Sequence, residues 1–152
     1  MTELKSEFLY EAYVDLDKPI ELGITPRGNR QIYYFKGGSL KGPNIKGVVI
    51  PGGGNWLLIR SDGAAQMDIK ATIRTDDGHF IYSYDSGYLY ASPEIWQKMM
   101  KEEPIDPSEY YLRSVPYYET SSEKYSWMNR IVAVGIGRLT ETGVAFKVYK
   151  IL

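Results

Sequence analysis

The sequence has no cysteine and a single histidine, His79. The first absence removes disulfide frameworks, thiolate zinc sites, iron–sulfur clusters and cysteine nucleophiles together. The second leaves no pair of imidazoles in one chain, which excludes His-rich zinc hydrolases, and neither a metal nor a cofactor is expected. No strictly apolar run exceeds four residues (Trp56 to Ile59 is one), far short of the roughly 20 that a bilayer-spanning helix needs. The first residues, MTELKSEFLYEAY, carry acids where a signal peptide has an apolar core. A cytoplasmic address without membrane attachment is the expectation.

What is present describes a globular chain: 43% hydrophobic, 24% charged and 14% aromatic residues over 152 positions. That length suits one domain, 1–152, able to bury about 70% of its unfolded surface without a covalent staple. The net charge of −1 conceals an uneven distribution. Arg27, Arg30, Lys36, Lys41, Lys46 and Arg60 lie in an acid-free stretch from Leu22 to Ser61, whereas Asp62 to Glu123 holds twelve acids and five bases. The basic stretch either faces an anionic ligand or pairs with acidic strands beside it.

Period-two alternation recurs along the chain. Residues 6–16 place Phe8, Tyr10, Ala12, Val14 and Leu16 on one face, and 31–40 are rich in β-formers. Gly42-Pro43 turns the chain into 46–50, and Pro51-Gly52-Gly53-Gly54-Asn55 leads into 56–61. Asp62-Gly63 and Asp77-Gly78 read as tight hairpins around a long strand from 64 to 75, with Phe80, Tyr82 and Tyr84 beyond the second. A further strand runs from 109 to 120, and 130–139 and 144–151 flank the hairpin loop Thr140-Glu141-Thr142-Gly143. Ser92 as N-cap, Pro93 in the first turn and Pro104 beyond the end delimit one short helix near 92–103, with Ile95, Trp96, Met99 and Met100 as its apolar stripe. Such a helix covers the open end of a sheet or closes a cavity. The segment 120–127 is a helical turn or a loop. Nine or ten strands at hairpin spacing, with glycines at 37, 38, 42, 47, 135 and 137 suited to tight corners, predict an all-β fold: a single antiparallel β-barrel of about 8–10 strands.

The familiar catalytic motifs are absent. Gly52–Gly54 lies between strands and is followed by Asn55-Trp56, so a close turn at a barrel rim explains it better than a phosphate loop. A Ser-His-Asp triad would need His79, which follows a hairpin turn, and no serine sits in a nucleophile elbow. Asp76 and Asp77 are turn residues whose side chains diverge. Mid-strand polar residues are more informative. Between 64 and 74, Met67, Ile69, Ala71 and Ile73 form one face and Gln66, Asp68, Lys70, Thr72 and Arg74 the other. Either the apolar face fills the core, or Asp68 and its neighbours line a wet interior. Arg113 and Glu119, set among tyrosines, pose the same choice. Fourteen tyrosines and three tryptophans suit pocket walls and subunit interfaces alike.

The strings G38-S-L-K-G-P-N-I-K-G47, P51-G-G-G-N-W56, R60-S-D-G63, R74-T-D-D-G78 and Y125-S-W-M-N129, followed by G135-I-G137, occur in this order. Together, from about Phe8 to Ile151, they resemble the domain-of-unknown-function 3237 family, also called uncharacterised protein family 0311. The resemblance implies a small antiparallel barrel, oligomeric, in a family with no settled activity. The family often has an acid just before the tryptophan; here that position is Asn55.

The leading expectation is a barrel that binds a small organic molecule, aromatic or carboxylated, of unidentified structure. Asp68, Arg113 and Glu119 are its candidate catalytic groups, and Trp56, Tyr82, Trp127 and Asn129 its candidate lining. Without thiol or cofactor, the chemistry open to it is acid–base isomerisation, cyclisation or elimination, with a carboxyl moving the proton and Arg113 or a tyrosine holding the developing anion. A non-catalytic ligand carrier and a structural oligomer are the alternatives. An OB-like nucleic-acid binder, resting on the basic stretch and on Tyr33, Tyr34 and Phe35 as stacking platforms, is disfavoured by the net charge. Apolar residues on both faces of 130–139 call for cover from a partner, and a homodimer is favoured.

Overall fold

The computed structural model describes residues 2–152. Ten strands follow one another: β1 (Ser6–Leu16), β2 (Ile20–Thr25), β3 (Gly28–Lys41), β4 (Lys46–Val49), β5 (Gly54–Ile59), β6 (Ala65–Thr75), β7 (Phe80–Ala91), β8 (Tyr110–Glu119), β9 (Ala133–Leu139) and β10 (Gly143–Ile151). One helix, α1 (Pro93–Met100), separates β7 from β8. Short 3-10 turns precede β8 (Pro107–Glu109) and β9 (Ser126–Arg130).

All pairings are antiparallel, and they close on themselves in the order β1-β10-β9-β8-β7-β6-β4-β3, with β3 returning to β1. Ten segments make a barrel of eight positions because β4 and β5 share one. Both lie between β3 and β6, with β4 against the C-terminal half of β3 and β5 against residues 29–34. The Pro51-Gly52 turn separates them, so the glycine run sits at a break within the wall, not at a rim. β2, a strand the sequence pattern does not reveal, pairs with the start of β3 where β1 has ended. Thr25 builds the connecting turn by accepting the Arg27 amide at 3.1 Å and donating to the Gly28 carbonyl at 2.9 Å.

Inward rows follow the pleat. On β6 they are Ala65, Met67, Ile69 and Ile73, and on β8 Tyr110, Leu112, Ser114, Pro116 and Tyr118. β1 departs from the expected face. Its pairing with β10 slips between Phe8 and Tyr10, so Leu9 and Tyr10 are both buried and Phe8 turns outward. A bulge of this kind reverses side-chain direction without breaking the strand. At the β6–β7 turn end of the barrel, Ile45, Ile73, Ile81, Tyr125 and Met128 are buried members of the core. Here Asp77, on the β6–β7 turn, accepts from Tyr125 at 2.9 Å and pairs with Lys124, and these partners hold its carboxyl well below the usual carboxylate range. His79 stands edge-on to the Tyr125 ring.

α1 begins as the sequence predicts, with the Ser92 hydroxyl accepting the Ile95 amide at 3.3 Å and Pro93 in the first turn. None of its residues is fully buried. The helix is a cover over the other end of the barrel, where Trp96 and Met99 look onto the interior. Among the described residues, no helix is long and apolar enough to cross a membrane.

Candidate functional site

The barrel encloses a cavity of about 1070 Å³. Most of its wall is aliphatic or aromatic, supplied by residues such as Val14, Phe35, Leu57, Met67, Ile69 and Phe146. The mouth is framed by Leu16, the β9–β10 hairpin, Trp96 and Met99 of α1, and residues 102–105. Apolar enclosure with a few polar groups is the usual make-up of a small-molecule site.

Those polar groups cluster on β7 and its neighbours. β7 turns Ser83 and Asp85 inward, and the Ser83 hydroxyl donates to Asp85 Oδ1 at 2.8 Å. Ser114, on the adjacent strand, is 2% exposed and turns its hydroxyl toward the same carboxyl, without the alignment of a full hydrogen bond. Gly135 faces Ser114 across the β8–β9 pair, and a side chain there would collide with that hydroxyl. Burial in the wall pushes Asp85 up to about 6, with the two serine hydroxyls partly offsetting the effect. Tyr10 also lines the cavity, and its hydroxyl meets that of Tyr118 at 2.5 Å. Burial, reinforced by the Asp85 charge, raises both phenols well above their ordinary value. They are neutral hydrogen-bonding groups at any physiological pH.

A second polar group of the wall is Asn55, with Tyr33 opposite it on β3 and Gln31 beside that tyrosine. β5 and β6 pair at residues 54–55 and 58–59 but not between, and Asn55 Oδ1 fills the gap by accepting the Asp68 amide at 3.1 Å. Its Nδ2 is left as a neutral donor in the cavity wall. Register places Asn55, Ile69 and Asp85 in one row across three strands, about 10 Å from end to end at the usual strand spacing.

The candidate residues named from sequence lie elsewhere, and none lines the cavity. The expectation of a wet face on β6 is corrected: the apolar face is the inner one, and Asp68 stands outside at 3.8 Å from Lys70. Arg113 and Glu119 alternate with the inward row of β8; Arg113 donates to the Leu112 carbonyl at 2.9 Å and lies over the Tyr111 ring. Tyr82 belongs to the outward row of β7, and Trp56 packs outside against Tyr34 and Lys70. Trp127 is covered by Lys150, and Asn129 ties the 3-10 turn before β9 to the Thr120 backbone at 2.8 and 3.0 Å. The inner row Ser83-Asp85 is masked in the sequence by the tyrosines that alternate with it. Its signal was a carboxylate in mid-strand, opposite the apolar row of β6. Among the described residues, no three His, Asp or Glu side chains gather as a metal site.

Residues 4–151 match the family described as protein of unknown function (DUF3237). The chain belongs to that family. A UPF0311 protein of Clostridium acetobutylicum is 36% identical over 98% of this chain and 95% of its own length. A β-barrel-like protein from Acinetobacter baumannii is 33% identical and has a TM-score of 0.86, over 100% of this chain and 98% of that one. A hydroalkoxylation enzyme of Penicillium herquei is 32% identical across 70% of this chain and 56% of the enzyme. A solved structure of an enzyme from the same fungus shares the fold, with a TM-score of 0.76 at 24% identity over 100% of this chain and 97% of that one.

Proposed function

We propose that this DUF3237 barrel binds a small organic molecule in its interior and moves a proton on it without a cofactor, with Asp85 as the acid–base group. The observation that carries this reading is a lone carboxylate deep in an apolar cavity, pushed up to about 6 by its surroundings. A group with that value is mostly a base near neutrality yet is readily protonated, as a residue that both takes and returns a proton must be. Either hydroxyl of the Tyr10–Tyr118 pair can donate to the other, and when Tyr118 is the donor the Tyr10 O–H is free to donate to a ligand oxygen that gains negative charge. Ser83 holds the carboxyl in place.

The name of the Penicillium relative supports the same class of chemistry. Hydroalkoxylation adds an O–H across a carbon–carbon double bond: one proton leaves oxygen, one arrives at carbon, and nothing is oxidised. Cyclisation of unsaturated alcohols or phenols is the intramolecular case and needs the same two transfers, while double-bond isomerisation takes a proton from one carbon and returns one to another. Asp68, Arg113 and Glu119, on the outer surface, are replaced in this proposal by Asp85 and Tyr10.

The test combines native mass spectrometry of freshly purified protein with incubation in D₂O of unsaturated phenols such as 2-allylphenol. Deuterium incorporation or a cyclised isomer is expected with the natural protein, and Asp85→Asn should slow it by about 100-fold or more. A retained ligand with no turnover by either protein would make the barrel a carrier. Turnover that survives Asp85→Asn would contradict the acid–base assignment.

A further inference from the structure

We infer that the cavity selects against anions, and that its ligand is an uncharged, largely apolar molecule presenting a hydroxyl to Asp85 and a carbonyl-type oxygen to Asn55. The inference rests on the small-molecule reading above and adds the chemical class of the ligand.

Charge decides the first half. The acids bordering the cavity are Asp85 within it and Glu102, Glu103 and Glu141 toward the mouth; Arg138 is the sole cation among the lining residues. That guanidinium is already committed. Its Nη1 donates to Glu11 Oε2 at 2.9 Å and its Nη2 to the Tyr13 hydroxyl at 2.9 Å, both outward residues of β1. The other cations near the wall are held outside. Lys70 lies over Trp56 and Tyr84, Arg60 pairs with Asp62, and Arg113 covers Tyr111. A carboxylate would therefore pass three glutamates and come to rest near Asp85 with no counter-ion. An unpaired charge in an apolar enclosure is strongly disfavoured.

Hydrogen-bonding capacity decides the second half. The ionised carboxylate of Asp85 only accepts, so it calls for an O–H on the ligand. Asn55 Oδ1 is occupied by the Asp68 amide, so what Asn55 offers is its N–H₂. A ligand that satisfies both carries a donor and an acceptor at opposite ends of a body somewhat shorter than the row of about 10 Å that joins them. A substituted naphthalene has that length, and the apolar wall suits its rings.

Two isosteric probes separate the outcomes by fluorescence titration at pH 7.5: 6-acetyl-2-naphthol and 6-hydroxy-2-naphthoate. They share ring and hydroxyl and differ in having an acetyl group or a carboxylate at the far end. The neutral ketone is expected to bind at least tenfold more tightly. Methylating its hydroxyl should weaken binding to the natural protein by about tenfold, but leave binding to Asp85→Asn nearly unchanged. If the carboxylate binds as tightly as the ketone, the charge selection is wrong and the cavity remains a binding site. If neither probe binds saturably, both the selection and the small-molecule reading fall. If methylation weakens binding equally in both proteins, the hydroxyl does not meet Asp85.

Discussion

At pH 8 the Asp85→Asn protein is expected to be more stable than the natural one by about 2–3 kcal/mol, a gap that closes as the pH falls below 4. The sign follows from the direction of the shift. Asp85 rises from an ordinary 3.8 to about 6 in the folded protein, chiefly because burial penalises its charged form. Below the lower value the carboxyl is protonated in folded and unfolded chains alike, and it contributes no difference. Between the two values the unfolded chain loses its proton first, and stability falls as pH rises. Above 6 the full cost of holding the ionised group in the wall is present. Asparagine keeps an oxygen for Ser83 and never ionises, so it escapes that cost. Urea denaturation at a series of pH values reads the effect. Equal stabilities at pH 8, or a gap that does not change with pH, would mean the carboxyl is not held as described. A catalytic group that costs the fold stability is the familiar exchange between stability and function.

Gly38→Ala is expected to cost about 3 kcal/mol or more, against about 1–2 kcal/mol for Gly63→Ala. Gly38 lies where β3 passes β1, and a β-carbon there would be driven into the Tyr13 carbonyl. This pairing closes the barrel, and backbone on both sides of the contact leaves little room to yield. Gly63 meets no atom within 4 Å of such a carbon, but its φ of +88° is a conformation that side chains disfavour. The first substitution pits a methyl group against the barrel's closure, and the second only strains a turn. Thermal unfolding of the two variants measures the contrast. Similar losses in both would show that β1 and β3 can separate at this point without consequence.

The barrel was legible because the alternation, the hairpin glycines and the Ser92-Pro93 helix start all report local geometry that the chain adopts. The interior was less so, for a reason that turns on one residue. A two-residue turn at Asp77-Gly78 would place residue 69 opposite residue 86, and Tyr82 and Tyr84 would then face inward. Instead Thr75 and His79 are joined by hydrogen bonds, leaving a three-residue turn, and Ile69 stands opposite Asp85. That slip exchanges the two faces of β7. Side-chain size misled in the same direction. Large aromatic rows usually mark a core, but a barrel that keeps a cavity needs small and polar residues on part of its inner wall. Its tyrosines are displaced outward, where Tyr84 faces Tyr117 and Tyr90 faces Tyr111 on the outer surface. On β6 the alternation separates two clean rows without saying which faces in, and the choice of Asp68 fell on the outer one, since Met67, Ile69 and Ile73 line the interior.

The most direct test of the account is a carbon-13 NMR titration of the Asp85 carboxyl, assigned by its absence in Asp85→Asn. A midpoint near 6 is expected, with a resonance that moves when 6-acetyl-2-naphthol is added. A midpoint near 4 together with indifference to the ligand would contradict it, since Asp85 would then be an ordinary carboxylate in contact with water and not the acid–base group of an enclosed site.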